Sequence, residues 1–133
     1  MIGARLWLHL MATRLRLARW RGARLLTLMA APARAPGQDE RLRAHTLAAR
    51  IARVARWVPR SRCLDRAVLL VELARREALP LRLRLGVRND ASGRFRAHAW
   101  AEDIAGEPYG DARAALMGFA PLDGEPVGLE FGR

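Results

Sequence analysis

The sequence predicts an α+β fold in which N-terminal helices precede a small antiparallel sheet. Apolar residues recur at helical spacing through the first 77 residues, and after Pro80 the spacing changes to strict alternation. Helices followed by strands in one chain are typical of an α+β domain. At 133 residues, the chain has the material for one domain with a single modest core.

Three helices are predicted in the first part of the chain. The first spans residues 3–30, carries arginines between its leucines, and ends at the Pro/Gly-rich connector 31–38. The third spans residues 61–77, with Ser61 as its N-cap. The second spans residues 39–58, and its predicted apolar face consists of Leu42, Leu47, Ile51, Val54 and Val58.

Two strands and a shorter third are predicted after the helices. In residues 81–88 leucine and valine alternate with arginine and glycine, which indicates a half-buried strand. The turn 89–93 leads into a second strand, 94–102, and a third is expected near 108–112. One predicted face of the second strand carries Phe95, Ala97, Ala99 and Ala101, and the other carries Arg96, His98 and Trp100.

A single domain over residues 1–133 is expected, in three parts. Residues 1–38 form a basic helical segment with its connector, residues 39–112 form the core, and residues 113–133 form an irregular Gly/Pro-rich tail. No internal repeat interrupts this arrangement.

The positive charge lies entirely in the first half of the chain. Residues 1–60 hold 13 Arg against two acidic residues, a net +11, whereas residues 61–133 hold 11 of each sign. Such a field attracts acidic peptides, acidic proteins, anionic lipid or nucleic acid, and a solvated Arg-rich helical face explains it equally well. Nucleic acid is not expected, because no reading motif or stacking platform accompanies the charge.

The N-terminus and the cysteine usage indicate a cytoplasmic protein. The first apolar run is interrupted by His9 and followed by closely spaced arginines, which makes a poor secretory signal and excludes a membrane span. Membrane contact is therefore not expected. The single cysteine cannot form an internal disulfide, which fits a reducing compartment.

Cys63 is the candidate nucleophile. It falls in the first turn of the third predicted helix, where exposed N–H groups and the positive end of the helix dipole favour a thiolate. Arg60 and Arg62 act in the same direction, and the same N–H groups suit an oxyanion. The alternative is a small buried hydrophobe, which is the commoner role of a lone cysteine.

His98 is the candidate base. It lies in the middle of a predicted strand, where the backbone can hold an imidazole towards a helix packed across it. His9 and His45 lie in Arg-rich helices and fit ordinary surface roles. No metal or other cofactor is expected, because one cysteine and three scattered histidines show no ligand spacing.

A carboxylate is needed to orient the imidazole. Asp111, 13 residues after His98 and across one turn, is the first choice, because a neighbouring antiparallel strand aims a side chain well. Asp103 and Glu107 are the alternatives.

Three motifs carry a resemblance to a known family. SRCLDRA at 61–67, LRLRLGVR at 81–88 and AHAWAE at 97–102 follow one another in this order. Together they resemble the transglutaminase-like leader peptidases of bacterial lasso-peptide biosynthesis, over about residues 40–112. The resemblance implies a transglutaminase/papain-like core, in which the Cys-bearing helix packs on the small sheet.

The resemblance also implies a function. The enzyme would be a cysteine peptidase that removes the leader from a ribosomally synthesised precursor, with Cys63 as nucleophile, His98 as base and then acid, and Asp111 as the orienting group. The chain resembles the stand-alone protease half of the system. Its implied partners are the precursor's leader, a separate small leader-recognition protein and the lasso cyclase.

Two other functions stay open at this point. The same triad would pass the acyl group to an amine in a true transglutaminase. A non-enzymatic Arg-rich module binding an acidic protein or nucleic acid would instead leave Cys63 buried and unreactive, with His98 far from it.

Overall fold

Four helices and four strands follow one another in the part of the chain that the computed structural model describes, residues 2–17, 22–58, 62–111 and 116–121. They are α1 (Ile2–Leu17), α2 (Gly22–Met29), α3 (Gln38–Ala55), α4 (Cys63–Arg76), β1 (Arg82–Asn89), β2 (Phe95–Glu102), β3 (Pro108–Tyr109) and β4 (Ala120–Pro121). This order confirms the predicted α+β class, with the Cys-bearing helix preceding the sheet. Within these ranges, no helix combines the length and the apolar character that crossing a bilayer requires.

The sheet is antiparallel, in the order β3-β2-β1-β4. β1 and β2 pair along their whole length, which places Gly86 opposite His98 and Arg84 opposite Trp100. α4 packs against β2, where Ala99 and Ala101 are buried. Because side chains alternate along a strand, His98 and Trp100 lie on the other side of β2.

Helix α4 is the centre of the core, and α1, α3 and the sheet pack around it. Its buried apolar side chains recur at helical spacing and form one core with those of α1. Burying such side chains is the main stabilising term of the fold. Core side chains of these helices and of the chain that leads into and starts β1 that are at most 1% exposed include Leu10, Val68, Val71, Ala74, Leu79, Leu81 and Leu83.

Most of the face predicted for the second helix is confirmed. Ile51 and Val58 are buried, and Leu47 and Val54 pack against the core. Leu42 is wrong, since it is 62% exposed, and the small side chains of Ala44, Ala48 and Ala55 are buried beside Ile51. Positions i, i+4, i+7 and i+11 form one stripe, and its small residues allow α3 to lie close to α4.

The start of the third predicted helix also needs correction. Within the first predicted helix, 3–30, the described residues form α1 and α2, and residues 18–21 lie outside the described residues. Ser61, the predicted N-cap of α4, lies outside them too, and Arg62 holds the N-cap position. The Arg62 N–H donates to the Asp65 carboxylate (3.0 Å), so the helix start is stabilised from its third residue.

Burial on the two faces of the sheet differs from what the alternation of apolar and polar residues predicted. Arg82 and Arg84, expected on the half-exposed face of β1, are only 7% and 4% exposed. Arg82 donates through Nε to the Met29 carbonyl (3.0 Å), at the end of α2. Phe95 and Ala97 are exposed, because α4 covers only the second half of β2. The strand expected near 108–112 is confined to β3, and Ala112 lies outside the described residues.

Candidate active site

Cys63 is the first residue of α4 and is half-buried. The first hydrogen bond of the helix runs from the Arg66 N–H to the Arg62 carbonyl (3.2 Å). The N–H groups of residues 63–65 therefore precede the hydrogen-bond ladder of the helix. The cysteine lies at the positive end of the helix dipole, as the sequence predicted.

A small open cavity lies beside Cys63. Helices α3 and α4 form one side of it, and β2 with the end of β3 forms the other. Cys63 and Asp111 both line the cavity, so the candidate nucleophile and the candidate orienting carboxylate face the same space. The full lining is Ala48, Ile51, Ala52, Cys63, Arg66, Ala67, Leu70, Ala99, Trp100, Ala101, Tyr109, Gly110 and Asp111.

Asp111 also contacts His98. The His98 Nε2 atom lies 3.4 Å from Asp111 Oδ2, and both side chains are partly exposed. This distance is slightly longer than a good hydrogen bond, which is common for catalytic pairs in unliganded enzymes. Gly110, with φ of +91°, turns the chain between β3 and Asp111 in a conformation that favours glycine. Asp111 thus contacts both the cavity at Cys63 and the imidazole of His98, whereas His98 itself is not part of the cavity lining.

The alternative carboxylates are engaged elsewhere. Asp103 is buried, and its Oδ1 accepts hydrogen bonds from the N–H groups of Ala105 (2.9 Å) and Glu107 (3.1 Å). Its Oδ2 accepts from the Tyr109 hydroxyl (2.8 Å). Glu107 Oε2 lies 3.4 Å from Nε2 of His45. Asp103 therefore organises the turn between β2 and β3, and Asp111 is left as the carboxylate best placed for His98.

Two aromatic rings surround the His98 imidazole. The Trp100 ring lies 6.0 Å away at 18° between the planes, and the Phe119 ring lies 5.5 Å away at 35°. Trp100 was expected on this face from the alternation of β2. Phe119 was not singled out, because the tail that contains it shows no regular pattern. The face that seemed polar in sequence is thus largely aromatic around the histidine.

The pair of Tyr109 and Asp103 gives an expectation for alkaline stability. Burial raises the pKa of Tyr109 above its usual range, and the adjacent Asp103 carboxylate acts in the same direction. The folded state therefore keeps the phenol proton at pH values where the unfolded chain releases it. The contribution of Tyr109 to the free energy of unfolding should be constant below about pH 10 and fall above it.

This expectation is measurable because little else titrates there. Tyr109 is the one tyrosine of the chain, all 24 basic residues are Arg, and arginine stays protonated up to about pH 12. Urea unfolding of the Cys63→Ala chain between about pH 8 and 11 should show the decline, and Tyr109→Phe in that background should remove it. At neutral pH the Phe variant should be less stable by about 1–3 kcal/mol, because Asp103 loses a buried partner. An identical alkaline decline in the Phe variant would contradict this assignment.

The chain belongs to the transglutaminase-like superfamily. Residues 7–123 match the family model described as the Transglutaminase-like superfamily, whose members are generally cysteine-dependent enzymes. No curated protein and no solved structure matches the chain significantly. In residues 2–17, 22–58, 62–111 and 116–121, no three His, Cys, Asp or Glu side chains are grouped so that they could hold a metal ion.

Proposed function

We propose that the chain is a cysteine peptidase that removes the leader from a ribosomally synthesised lasso-peptide precursor, with Cys63, His98 and Asp111 as its triad. The observation that carries the proposal is the position of Asp111, which lines the cavity of Cys63 and lies 3.4 Å from His98. Membership of a superfamily of cysteine-dependent enzymes supports it.

The contact at Nε2 supports a division of roles between the two imidazole nitrogens. A neutral histidine whose Nε2–H points at Asp111 keeps Nδ1 as its acceptor. Nδ1 would then take the proton of the Cys63 thiol. The first turn of α4 would supply N–H donors to the oxyanion that forms when the thiolate attacks the peptide carbonyl.

The remaining steps follow from the same groups. The imidazolium gives its proton to the leaving amine, which is the new N-terminus of the core peptide, and a thioester to Cys63 remains. His98 then removes a proton from water, which attacks the thioester. The carbon–sulfur bond breaks, the leader leaves with a free carboxylate, and the Cys63 thiolate recovers the proton from the imidazolium. Asp111 stabilises the imidazolium in both halves of the reaction and stays ionised throughout.

The partners and the compartment are part of this proposal. The substrate is the precursor's leader, presented by a separate small leader-recognition protein, and the product passes to the lasso cyclase. A single thiol that cannot form an internal disulfide fits a reducing compartment, and we place the enzyme in the bacterial cytoplasm. An outward positive face suits an acidic leader or partner, and α3 presents exposed arginines at Arg41, Arg43, Arg50 and Arg53.

Acyl transfer is the second candidate function, favoured by the superfamily itself. The two reactions differ in whether water or an amine attacks the thioester. Incubating the chain with a leader-bearing lasso precursor in H₂¹⁸O, with glycine methyl ester added, separates them by mass spectrometry. We expect ¹⁸O in the new carboxylate of the leader, whereas transfer would replace that carboxylate with the amide of glycine methyl ester. The reaction is run with and without the leader-recognition protein.

A matched pair of histidine variants serves as the control. His98 and His45 each have a carboxylate 3.4 Å from Nε2, but only the carboxylate beside His98, that of Asp111, lines the Cys63 cavity. His98→Ala should slow cleavage by roughly 10²–10⁴-fold, and His45→Ala should leave it nearly unchanged. An intact precursor under every condition, or equal rates for the two variants, would refute the proposed peptidase.

A further inference from the structure

A line of side chains continues from His98 along the same face of β2. Residues at i, i+2 and i+4 of a strand share a face, so His98, Trp100 and Glu102 lie in a row. The register of the sheet places Gly86 opposite His98 and Arg84 opposite Trp100. The row is therefore flanked by β1 along its length.

Glu102 binds a different partner with each carboxylate oxygen. Its Oε1 accepts a hydrogen bond from the Trp100 indole Nε1–H (2.9 Å), and its Oε2 accepts from Arg84 Nη1 (2.7 Å). The Arg84 and Glu102 side chains are 4% and 13% exposed, so water competes little for this contact. The carboxylate is thus held by the arginine while it holds the indole.

Gly86 provides the space that the indole occupies. A Cβ atom at this position would lie 2.8 Å from Trp100 Cη2 and 3.2 Å from the Phe119 Cβ. Any side chain there would displace the ring. The indole therefore lies against the backbone of β1 at the point that faces His98, held at one end by Glu102 and seated at the other on Gly86.

The backbone alone does not fix the plane of the imidazole. The χ2 torsions of histidine and tryptophan are broad, so neighbouring groups must set the orientation of each ring. For His98 these neighbours are Asp111 at Nε2, the nearly parallel Trp100 ring and the Phe119 ring. For Trp100 the directional contact is the hydrogen bond to Glu102.

We propose that Glu102 is a positioning residue of the active site, which, held by Arg84, fixes the Trp100 indole and through it the orientation of the His98 imidazole. The inference rests on the proposed function, since it assumes that His98 acts on Cys63. It adds three residues to the working site, Arg84, Glu102 and Trp100, none of which belongs to the triad.

The single cysteine allows a test that needs no substrate. Iodoacetamide alkylates thiolates, and in this chain it reports on Cys63 alone. An isolated thiol is only about 1% ionised near pH 6.5, so alkylation there reports on the groups that favour the thiolate, namely the N-terminus of α4, which the variants leave intact, and the base. The rate at pH 6.5 is measured relative to that at pH 9, where an unassisted thiol also ionises, in folded chains checked by near-ultraviolet circular dichroism.

Two variants remove the same contact from opposite sides. Trp100→Phe keeps an aromatic ring without the indole N–H. Glu102→Gln keeps the shape of the side chain, but its single amide oxygen can accept from only one of the two donors, the indole or the guanidinium. Each should lower the pH 6.5 rate several-fold, and kcat for leader cleavage about tenfold with KM unchanged. The double variant should be no slower than the slower single one, because both act through one contact. If Glu102→Gln fails to fold, Trp100→Phe alone decides.

Glu77→Gln is the matched control, since Glu77 is exposed at the opposite end of α4 from Cys63. If both variants behave like Glu77→Gln while His98→Ala slows alkylation, the positioning role is wrong and the peptidase proposal stands. If His98→Ala also behaves like Glu77→Gln, the imidazole does not act on Cys63, and both proposals fall. Independent, additive losses in the double variant would overturn the positioning role as well.

Discussion

Replacing Cys63 with alanine is expected to abolish leader cleavage while leaving the fold intact. The loss should be at least about 10³-fold, because no thioester can form without the thiol and what remains is binding and the oxyanion site. The folded state should tolerate the change. Cys63 is a half-buried first residue of a helix, and alanine is a good helix former there, so stability should change by less than about 1 kcal/mol.

Two measurements check this expectation. Mass spectrometry of the precursor gives the cleavage rate, and thermal unfolding followed by circular dichroism gives the stability. Wild-type protein alkylated beforehand with iodoacetamide is the independent control, since it can modify no other cysteine. Cleavage at the wild-type rate by either the Cys63→Ala variant or the alkylated protein would show that Cys63 is not the nucleophile. It would favour the non-enzymatic alternative.

Asp111→Asn is the second change with a large expected effect. Asparagine keeps the size of the side chain but presents an amide to Nε2, which permits the wrong tautomer and removes the charge that stabilises the imidazolium. Cleavage should slow by roughly 10²–10⁴-fold. Because the side chain is 31% exposed in a bend after β3, thermal stability should stay close to that of the wild type.

Asp103→Asn is the control for this variant, because it should show the opposite signature. Its carboxylate is buried and accepts three hydrogen bonds, so the amide would leave at least one donor without an acceptor. The melting temperature should fall clearly, with any loss of rate following the loss of folded protein. Wild-type cleavage by Asp111→Asn, together with a slow Glu107→Gln, would move the orienting role to Glu107.

Much of the fold was predictable because the two periods of the chain are clear. The change from helical spacing to alternation at Pro80 gave the α+β class, and the bounds of α3, α4, β1 and β2 lie within a few residues of those expected. The start of α4 placed Cys63 in its first turn. Asp111 was chosen because it lies across one turn from His98, and the two side chains are 3.4 Å apart.

The rest depended on tertiary contacts that a periodic pattern does not contain. Alternation in β1 gave the period but not which face is covered, so the burial of Arg82 and Arg84 was missed. In α3 the more hydrophobic Leu42 was preferred over the alanines, although close helix packing favours small residues. Phe119 lies beside His98 because β4 pairs with β1, and no local pattern in the tail predicts this pairing.

Arg75 makes the helix that bears the nucleophile part of a larger folding unit. Its guanidinium donates to the carbonyls of Thr27 (3.0 Å), Leu28 (3.1 Å) and Ala30 (3.3 Å), and so caps the end of α2 from the far end of α4. A fragment trimmed to residues 39–112 would remove these three carbonyl acceptors of Arg75. It would also expose the side of α4 on which α1 packs. The shortest chain able to fold cooperatively therefore includes the N-terminal helices. A partner protein should be fused before these helices and not at the connector that follows them.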